Sequence, residues 1–259
     1  MMQMAPAEEY RLLPLECGFN FRDFGGYPTM DGGHIKSGML YRAGMMAFVD
    51  EIGRDRLASL NIASICDLRT TMERERHPTR WHEELGVELW HRDYHETNAD
   101  TAALLRKGEA NPDKLRQIMI DFYRDAAYEH AESLKALFSL LLAGKVPLVV
   151  NCSAGKDRTG TAAALVLSAL QVDRETIIQD YLLTAKADFS YLAEKARTDD
   201  APAMPMDVLA PLMAADIGYV KALFDGIEQR SGSVEQYLDG VLFVGPGERK
   251  RLRTLLVDG

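Results

Sequence analysis

Cysteine is scarce in this chain. Cys17, Cys66 and Cys152 are the three in 259 residues, and their spacings are unrelated. An odd count with no CxxC pair argues against a disulfide framework and against a sulfur-rich zinc site, and it fits a reducing, cytoplasmic setting. Positive charge is also in short supply: 30 Lys and Arg face 39 Asp and Glu, for a formal net charge of −9. That balance argues against nucleic acid as a partner and against broad adsorption to an anionic membrane. An anionic ligand therefore needs a local positive pocket. No window approaches the roughly eighteen consecutive apolar residues of a membrane-spanning helix, so no integral membrane segment is expected. The opening MMQMAPAEEYRLLPL has neither a basic start nor an apolar run, so no standard signal peptide is expected, although a non-classical secretion route stays open. Repeats and low-complexity linkers are missing too. What remains is an ordinary apolar fraction of 47% in a length that suits one large α/β domain, or a domain with a lobe.

The stretch from Asn20 to Gly44 is rich in glycine and turn residues. It reads as short strands and turns: FRDFGG, then DGGHIKSG as a hairpin, then MLYRAG. Asp50 to Leu60 predicts a short helix, Asn61 to Leu68 a buried strand, Thr70 to His77 one or two helical turns stopped by Pro78, and Val87 to His91 another strand. Asp113 to Ala143 predicts one long helix or two abutting ones, with Leu115, Ile118, Met119, Phe122 and Ala126 on the buried face and Gly144 as the stop. Val146 to Val150 reads as a fully buried strand. A polar loop and then the small, apolar TGTAAALVLSAL helix follow it. Strand, loop and buried helix in that order predict a parallel α/β core. From Asp173 onward the pattern is almost wholly helical, ending in a helix over Gly247 to Val257.

The chemistry concentrates in VVNCSAGKDRTGTAA. Cys152 stands at the end of a buried strand and faces a helix start. The backbone N–H groups of Ser153, Ala154, Gly155, Lys156, Asp157 and Arg158 can converge into an anion-binding nest. The helix N-terminus adds roughly half a positive charge, and Arg158 and Lys156 add full ones. Such a setting favours a thiolate nucleophile. The same cradle holds a phosphate dianion, with Arg158 gripping two of its oxygens as a fork. A nucleotide-binding P-loop does not fit, because Asp157 follows Gly155-Lys156 and Val150 stands where its first glycine belongs. The bland alternative is an inert buried cysteine in a tight turn, since Cys-x-x-x-x-x-Arg alone is a weak signal; the full string is much harder to reach by chance.

That string resembles the signature of the Cys-dependent protein-tyrosine and dual-specificity phosphatases. Together with NFRDFGG (Asn20 to Gly26), LYRAG (Leu40 to Gly44) and CDLRT (Cys66 to Thr70), it is similar to a bacterial tyrosine-phosphatase-like family whose members act on phosphotyrosine, phosphoserine/threonine or phosphoinositides. The match runs from about Gly18 to Tyr181. The resemblance implies an α/β protein-tyrosine-phosphatase-like fold, with a central, largely parallel sheet flanked by helices and additional C-terminal helices as a possible lid. The whole chain, 1–259, then reads as a single phosphatase domain: a catalytic core over about 18–181, and a helical lobe or lid with C-terminal helices over about 182–259. The resemblance also implies a phosphocysteine at Cys152, phosphate binding by Arg158, and a hydrogen bond from Thr159 that helps the thiolate leave. The general acid is Asp157 in the loop or Asp67 of the DLR motif, with Asp157 preferred; the acid must be protonated first and must reach the leaving oxygen. Lys156 resembles the basic position of phosphoinositide-handling members. The chemistry asks for no metal or cofactor. The implied partner is a phosphorylated protein or a phosphoinositide, and the oligomeric state is left undetermined. One departure is Asn151, which stands where the family carries His before the cysteine. An amide can hold loop geometry but carries no charge, and it is the one feature that points to a phosphate-binding pseudophosphatase.

Other residues carry paired readings. Arg22 and Asp23 can form an ion pair that holds a turn near the site. Arg69 follows a strand end and can add charge to the phosphate pocket, or it can pair within TMERERH. Cys66 reads as a small buried strand residue or as a resolving thiol. His91, Asp93 and His95 alternate as on one strand face, which is a partial metal set or simply surface. Arg249, Lys250, Arg251 and Arg253 make a solvated helix face or a membrane-surface patch. Met204 to Met213 is core packing or an adaptable lid.

Overall fold

The computed structural model describes residues 19–95, 104, 107–187 and 205–259. Cys17, Met204 and the segment from Asp188 to Met204 lie outside the described residues.

The apolar run after Pro147 forms the central strand. It is β6, Leu148–Asn151, in a five-stranded sheet with β1 (Arg22–Asp23), β3 (Leu40–Ala43), β4 (Ser64–Asp67) and β5 (Glu88–His91), in the order β1-β3-β6-β4-β5. β6 pairs parallel with both β3 and β4, and β4 pairs parallel with β5; the edge strand β1 is antiparallel to β3. Strand residues point alternately to the two faces, and both faces are covered. Leu40, Cys66, Leu148 and Val150 join the larger core, whereas Tyr41, Ala43, Ile65 and Val149 join a smaller one with Phe21, Leu57 and Trp81. A strand buried on both sides needs a continuous apolar run rather than alternation, which is why VPLVV was readable.

The smaller core is closed by α1 (Glu51–Ser59, capped by Asp50) and α3 (Trp81–Leu85). Between β4 and α3 lies α2 (Thr71–Arg76), whose Thr70 and Glu73 form a reciprocal capping box. The larger core lies under α4 (Pro112–Glu129), α5 (Ala131–Leu142), α6 (Asp157–Ala169), α7 (Arg174–Leu182), α9 (Ile217–Ser231), α10 (Val234–Gly240) and α11 (Pro246–Leu256). α4 and α5 abut at His130. α6 is central because its face is made of Thr161, Ala162, Ala163, Ala164 and Leu165, all buried, small enough to let neighbouring helices approach. α8 (Met206–Met213) packs on α4, and exposed Met206 and Met213 sit at its ends.

Three readings shift. The buried centre of α4 is Tyr123 with Leu115, Ala126 and Ala127, whereas Ile118, Met119 and Phe122 are only half-buried; the apolar stripe overlooked a tyrosine whose hydroxyl has partners. The glycine-rich hairpin turns over Thr29–Gly33, and its return strand β2 (His34–Ile35) also pairs with β7 (Val257–Asp258), a short strand beyond the last helix. Arg22 does not pair with Asp23 as expected. Neighbours on a strand face opposite ways, and Arg22 turns inward to Asp180 while Asp23 accepts from the Gly25 and Gly38 N–H groups.

Candidate active site

The carboxyl ends of β3, β6 and β4 stop level with one another: Ala43 and Asp67 both register with Asn151. Open α/β sheets gather their sites at that edge, and Cys152 is the next residue. Its loop is held from the outside. The Ser153 carbonyl accepts from the Met45 N–H at 2.9 Å. The Gly155 carbonyl accepts from Asn20 Nδ2 at 2.8 Å and from Arg42 Nη2 at 3.0 Å, and Asn20 Nδ2 also reaches the Ala154 carbonyl at 3.5 Å. A planar trans peptide points its N–H opposite to its C=O. Pinning these three carbonyls outward therefore turns the N–H groups of Ala154, Gly155 and Lys156 to the inner side, as an anion nest requires. Gly155 has φ +68°, and a Cβ there would lie 2.5 Å from the Gly44 nitrogen. Only glycine fits this bend against β3.

The outer clamp explains two of the sequence motifs. Arg42 Nη1 binds Asp180 at 2.5 Å, Arg22 Nε lies 3.5 Å from the same carboxylate, and Tyr27 donates to it at 3.2 Å. Arg22 also donates to Asn20, to the Asp180 carbonyl and to Thr184 Oγ1. Two guanidinium groups thus share one carboxylate in a fully buried corner. Burial, and next the charge of Arg42, pull the pKa of Arg22 down to about 9.

On the inner side, Arg158 sits in the first turn of α6. Its Nη1 and Nη2 form a fork on Glu73 at 2.8 and 2.7 Å, and Nη1 also reaches the Leu68 carbonyl and Tyr94. Ser153 Oγ donates to Glu73 as well. Glu73 therefore touches both the first and the last side chain of the loop after the cysteine, while its other tie is to the Thr70 N–H at the start of α2. Burial opposes its charge, but Arg158, Ser153 and Thr70 outweigh that and hold the Glu73 carboxyl at about 2. Burial likewise works against the Arg158 charge, and the bonds it makes to Glu73, with Cys152 beside it, overcome that, raising its pKa further. Beside Ser153 opens a cavity of about 180 Å³, walled by Met45, Met72, Glu73, Arg76 and His77.

Asp157 stands at the start of α6 with its side chain one-quarter exposed; Tyr123 donates to its Oδ1 at 2.7 Å, and Lys156 Nζ lies 3.4 Å from the same oxygen. Lys156 is buried and donates to the Leu212 and Ala214 carbonyls at the end of α8. Its backbone is part of the loop, but its ammonium caps a helix. The Thr159 hydroxyl is buried in the first turn of α6, without a hydrogen-bond partner among the described residues. Asp67 and Arg69 are turned into each other. Asp67 is 1% exposed, and Arg69 covers both its oxygens at 2.6 to 3.0 Å. Arg69 is spent on Asp67, the His77 carbonyl and Thr79. Asn151 Nδ2 donates to Asp67 at 3.2 Å, so this pair braces the residue before Cys152 from behind.

A family model described as the tyrosine phosphatase family matches residues 13–258. The chain belongs to the tyrosine phosphatase family. A Cupriavidus necator protein bearing a provisional tyrosine-protein phosphatase name is 29% identical over 233 residues, 87% of this chain and 82% of that one. The triple specificity protein phosphatase PtpB of Mycobacterium tuberculosis is 30% identical over 257 residues, 86% of this chain and 91% of its own. The phosphatase fold expected from the motifs is the one observed, a mostly parallel sheet flanked by helices.

Around this phosphatase site the remaining candidates fall into place. Cys66 is wholly buried in β4, and burial followed by the Asp67 charge pushes its thiol far above the ordinary range. The guanidinium of Arg74 stands between His91 and Asp93, at 2.7 and 2.6 Å, so a cation already occupies that face. Within the basic cluster of α11, Arg249 and Arg253 donate to main-chain carbonyls of neighbouring elements. Among the described residues, no helix is long and apolar enough to cross a membrane. Sequence reasoning missed Glu73 and Tyr123. A Thr-x-x-Glu capping signal was present for the first, but it tells nothing of the second duty of the carboxylate. For the second there was only a tyrosine inside an amphipathic pattern.

Proposed function

We propose that the protein is a phosphomonoester hydrolase working through a cysteinyl-phosphate at Cys152, with protein phosphotyrosine as the main substrate and broad or dual specificity. The observation that supports this best is the clamped loop: three carbonyls held outward leave N–H groups facing inward between the cysteine and Arg158. The name of the Mycobacterium tuberculosis relative supports breadth beyond one phosphoresidue.

The steps follow from the groups present. The Cys152 thiolate attacks phosphorus; the P–O bond to the leaving group breaks while Asp157 gives its proton to the departing oxygen. The loop N–H groups of Ser153 to Arg158 and the Arg158 guanidinium hold the three phosphoryl oxygens as charge shifts among them. Water then attacks the phosphocysteine, and Asp157, now a carboxylate, takes its proton. The P–S bond breaks with its electron pair returning to sulfur, where the Thr159 hydroxyl stabilises the departing thiolate, and inorganic phosphate is released. We assign the acid to Asp157 rather than to Asp67, because Asp67 is sealed under Arg69. The same seal argues against Arg69 as a phosphate ligand.

Phosphoinositide hydrolysis, the reading that Lys156 raises, has less support here because that ammonium is engaged at the end of α8. The pseudophosphatase reading rests on Asn151, whose amide serves as a brace to Asp67 and needs no charge for it. The deciding experiment is hydrolysis of para-nitrophenyl phosphate with chelator present, by the native protein and by Cys152→Ser. Activity in the first and none in the second, together with a phosphate adduct on Cys152 after rapid acid quench, is expected. Equal rates in both place the chemistry elsewhere. Inactivity in both with phosphate still bound favours the pseudophosphatase. Phosphopeptides against phosphoinositides then sort the substrate class.

A further inference from the structure

The loop acid is reached by a buried chain of hydroxyls from two other helices. Tyr123 of α4 donates to Asp157 Oδ1 at 2.7 Å, and the Tyr123 and Tyr181 hydroxyls are 2.9 Å apart. Each phenol has one proton. Tyr123 spends its own on Asp157, so Tyr181 of α7 must be the donor to Tyr123, and the chain runs one way: Tyr181 to Tyr123 to Asp157. Tyr123 is 0% exposed, its ring stacked on Tyr219 and edge-on to Tyr181. The ring of Tyr181 is fixed in turn against Gly160 of α6, where a Cβ would come within 3.0 Å of it. Burial, and next the charge of Asp157, push the Tyr123 phenol well above its ordinary range, so it stays a donor throughout the working pH range.

We propose that Tyr123 is the positioning residue of the general acid, fixing the Asp157 carboxyl so that its transferable proton is carried on Oδ2. This rests on Asp157 being the acid. Oδ1 faces two donors, the Tyr123 hydroxyl and, at 3.4 Å, the Lys156 ammonium. A protonated carboxyl keeps its carbonyl oxygen as an acceptor and carries its hydrogen on the other. A proton on Oδ1 would confront two groups that only donate to it, so it resides on Oδ2, which takes no partner among the described residues. The groups bearing on this carboxyl are Lys156 in the loop, Tyr123 of α4, Tyr181 of α7 and Tyr219 of α9. The tyrosines remain neutral phenols, since burial raises all three.

The test is the leaving-group dependence of Tyr123→Phe. An acid matters most when the leaving group is a poor one. Turnover of phenyl phosphate should fall at least about tenfold, against less than about threefold for para-nitrophenyl phosphate, and the basic limb of kcat/KM should move upward as the carboxylate loses a donor. Damage to packing alone lowers both substrates alike and leaves the limb in place; that result overturns the proposal. Asp157→Asn serves as the reference. If it too treats the two substrates alike, Asp157 is not the acid and the underlying reading fails; if it discriminates and Tyr123→Phe does not, only the role of Tyr123 fails. Should Tyr123→Phe not fold, Tyr181→Phe carries the test. It leaves the bond from Tyr123 in place, so a smaller upward movement of the limb is expected, and an unmoved limb overturns the chain.

Discussion

Two arginine–carboxylate pairs flank the catalytic loop, one outside and one inside, and they differ chiefly in water. Arg42 and Asp180, behind the loop, have side chains 0% and 2% exposed; Arg158 and Glu73, at its mouth, are 10% and 28% exposed. The outer pair carries a second arginine, and among the described residues the Nε atoms of both Arg22 and Arg42 make no hydrogen bond. Such a corner is costly to desolvate and is retained because it fixes geometry: the guanidinium that meets Asp180 also holds the Gly155 carbonyl outward. The inner pair is satisfied by groups that a phosphate can also use, and it borders the cavity beside Ser153. Guanidinium–carboxylate pairs thus stand dry behind the loop and wetter at its mouth.

The largest way to break the comparison is Asp180→Ala. It strands two buried guanidinium charges, and removal of one partner from a buried pair costs about 3–5 kcal/mol. Urea unfolding should show that loss. Phosphatase turnover of whatever still folds should drop as well, because Arg42 no longer has a fixed position against Gly155. A loss below about 1 kcal/mol would mean that the corner is wetter than its burial implies.

The inner pair should show its weight through acid. The folded Glu73 carboxyl is held at about 2, below the 4.5 of an ordinary glutamate. A depressed carboxylate contributes stability that is complete above the unfolded value and is lost as pH falls through the folded one. The stability gap between native protein and Glu73→Gln should therefore be full above about pH 5, worth up to about 3 kcal/mol, and close as pH approaches about 2. Urea midpoints across that range measure it. A gap that does not change with pH would show that Glu73 acts through shape and not through charge.

The sequence disclosed the inside of the loop better than its outside. Cys152, Asp157, Arg158 and Thr159 all fall between positions 152 and 159, so one string carried both their identity and their order. β6 and α6 were legible because burial on all sides leaves unbroken apolar runs. The clamp was not, because Asn20, Arg42 and Asp180 are joined only by tertiary structure, with hydrogen bonds spanning 113 to 138 residues. NFRDFGG and LYRAG announced that something was there without saying what it held. The same blindness misdirected Arg22 toward Asp23, and it left the pairing of Asp67, a candidate acid, with Arg69, a candidate phosphate ligand, unforeseen. Proximity along the chain was read as function, whereas β4 ends by turning both side chains into each other. Lys156 shows the limit inside a motif: its backbone position was fixed by the loop, but the direction of its side chain depended on α8, more than fifty residues onward.

A third pair of the same chemistry supplies the lower end of the scale. Arg54 of α1 reaches Glu84 of α3 through Nη1 alone, at 2.9 and 3.3 Å, so its shortest contact is within a few tenths of an ångström of those at the mouth, with side chains 36% and 57% exposed. If distance ruled, this pair would rank with Arg158 and Glu73. If water rules, it contributes little, since exposed ion pairs are worth about 0.2–1 kcal/mol and salt screens them further. A double-mutant cycle with Arg54→Ala and Glu84→Ala should give a coupling below about 1 kcal/mol that shrinks in high salt. A coupling above about 2 kcal/mol, unmoved by salt, would break the ranking by exposure and leave geometry as the better account of why the two pairs around the loop behave differently. The expected small value would instead assign the difference between the outer and the inner pair to desolvation, since all three pairs share the same groups and close contact distances.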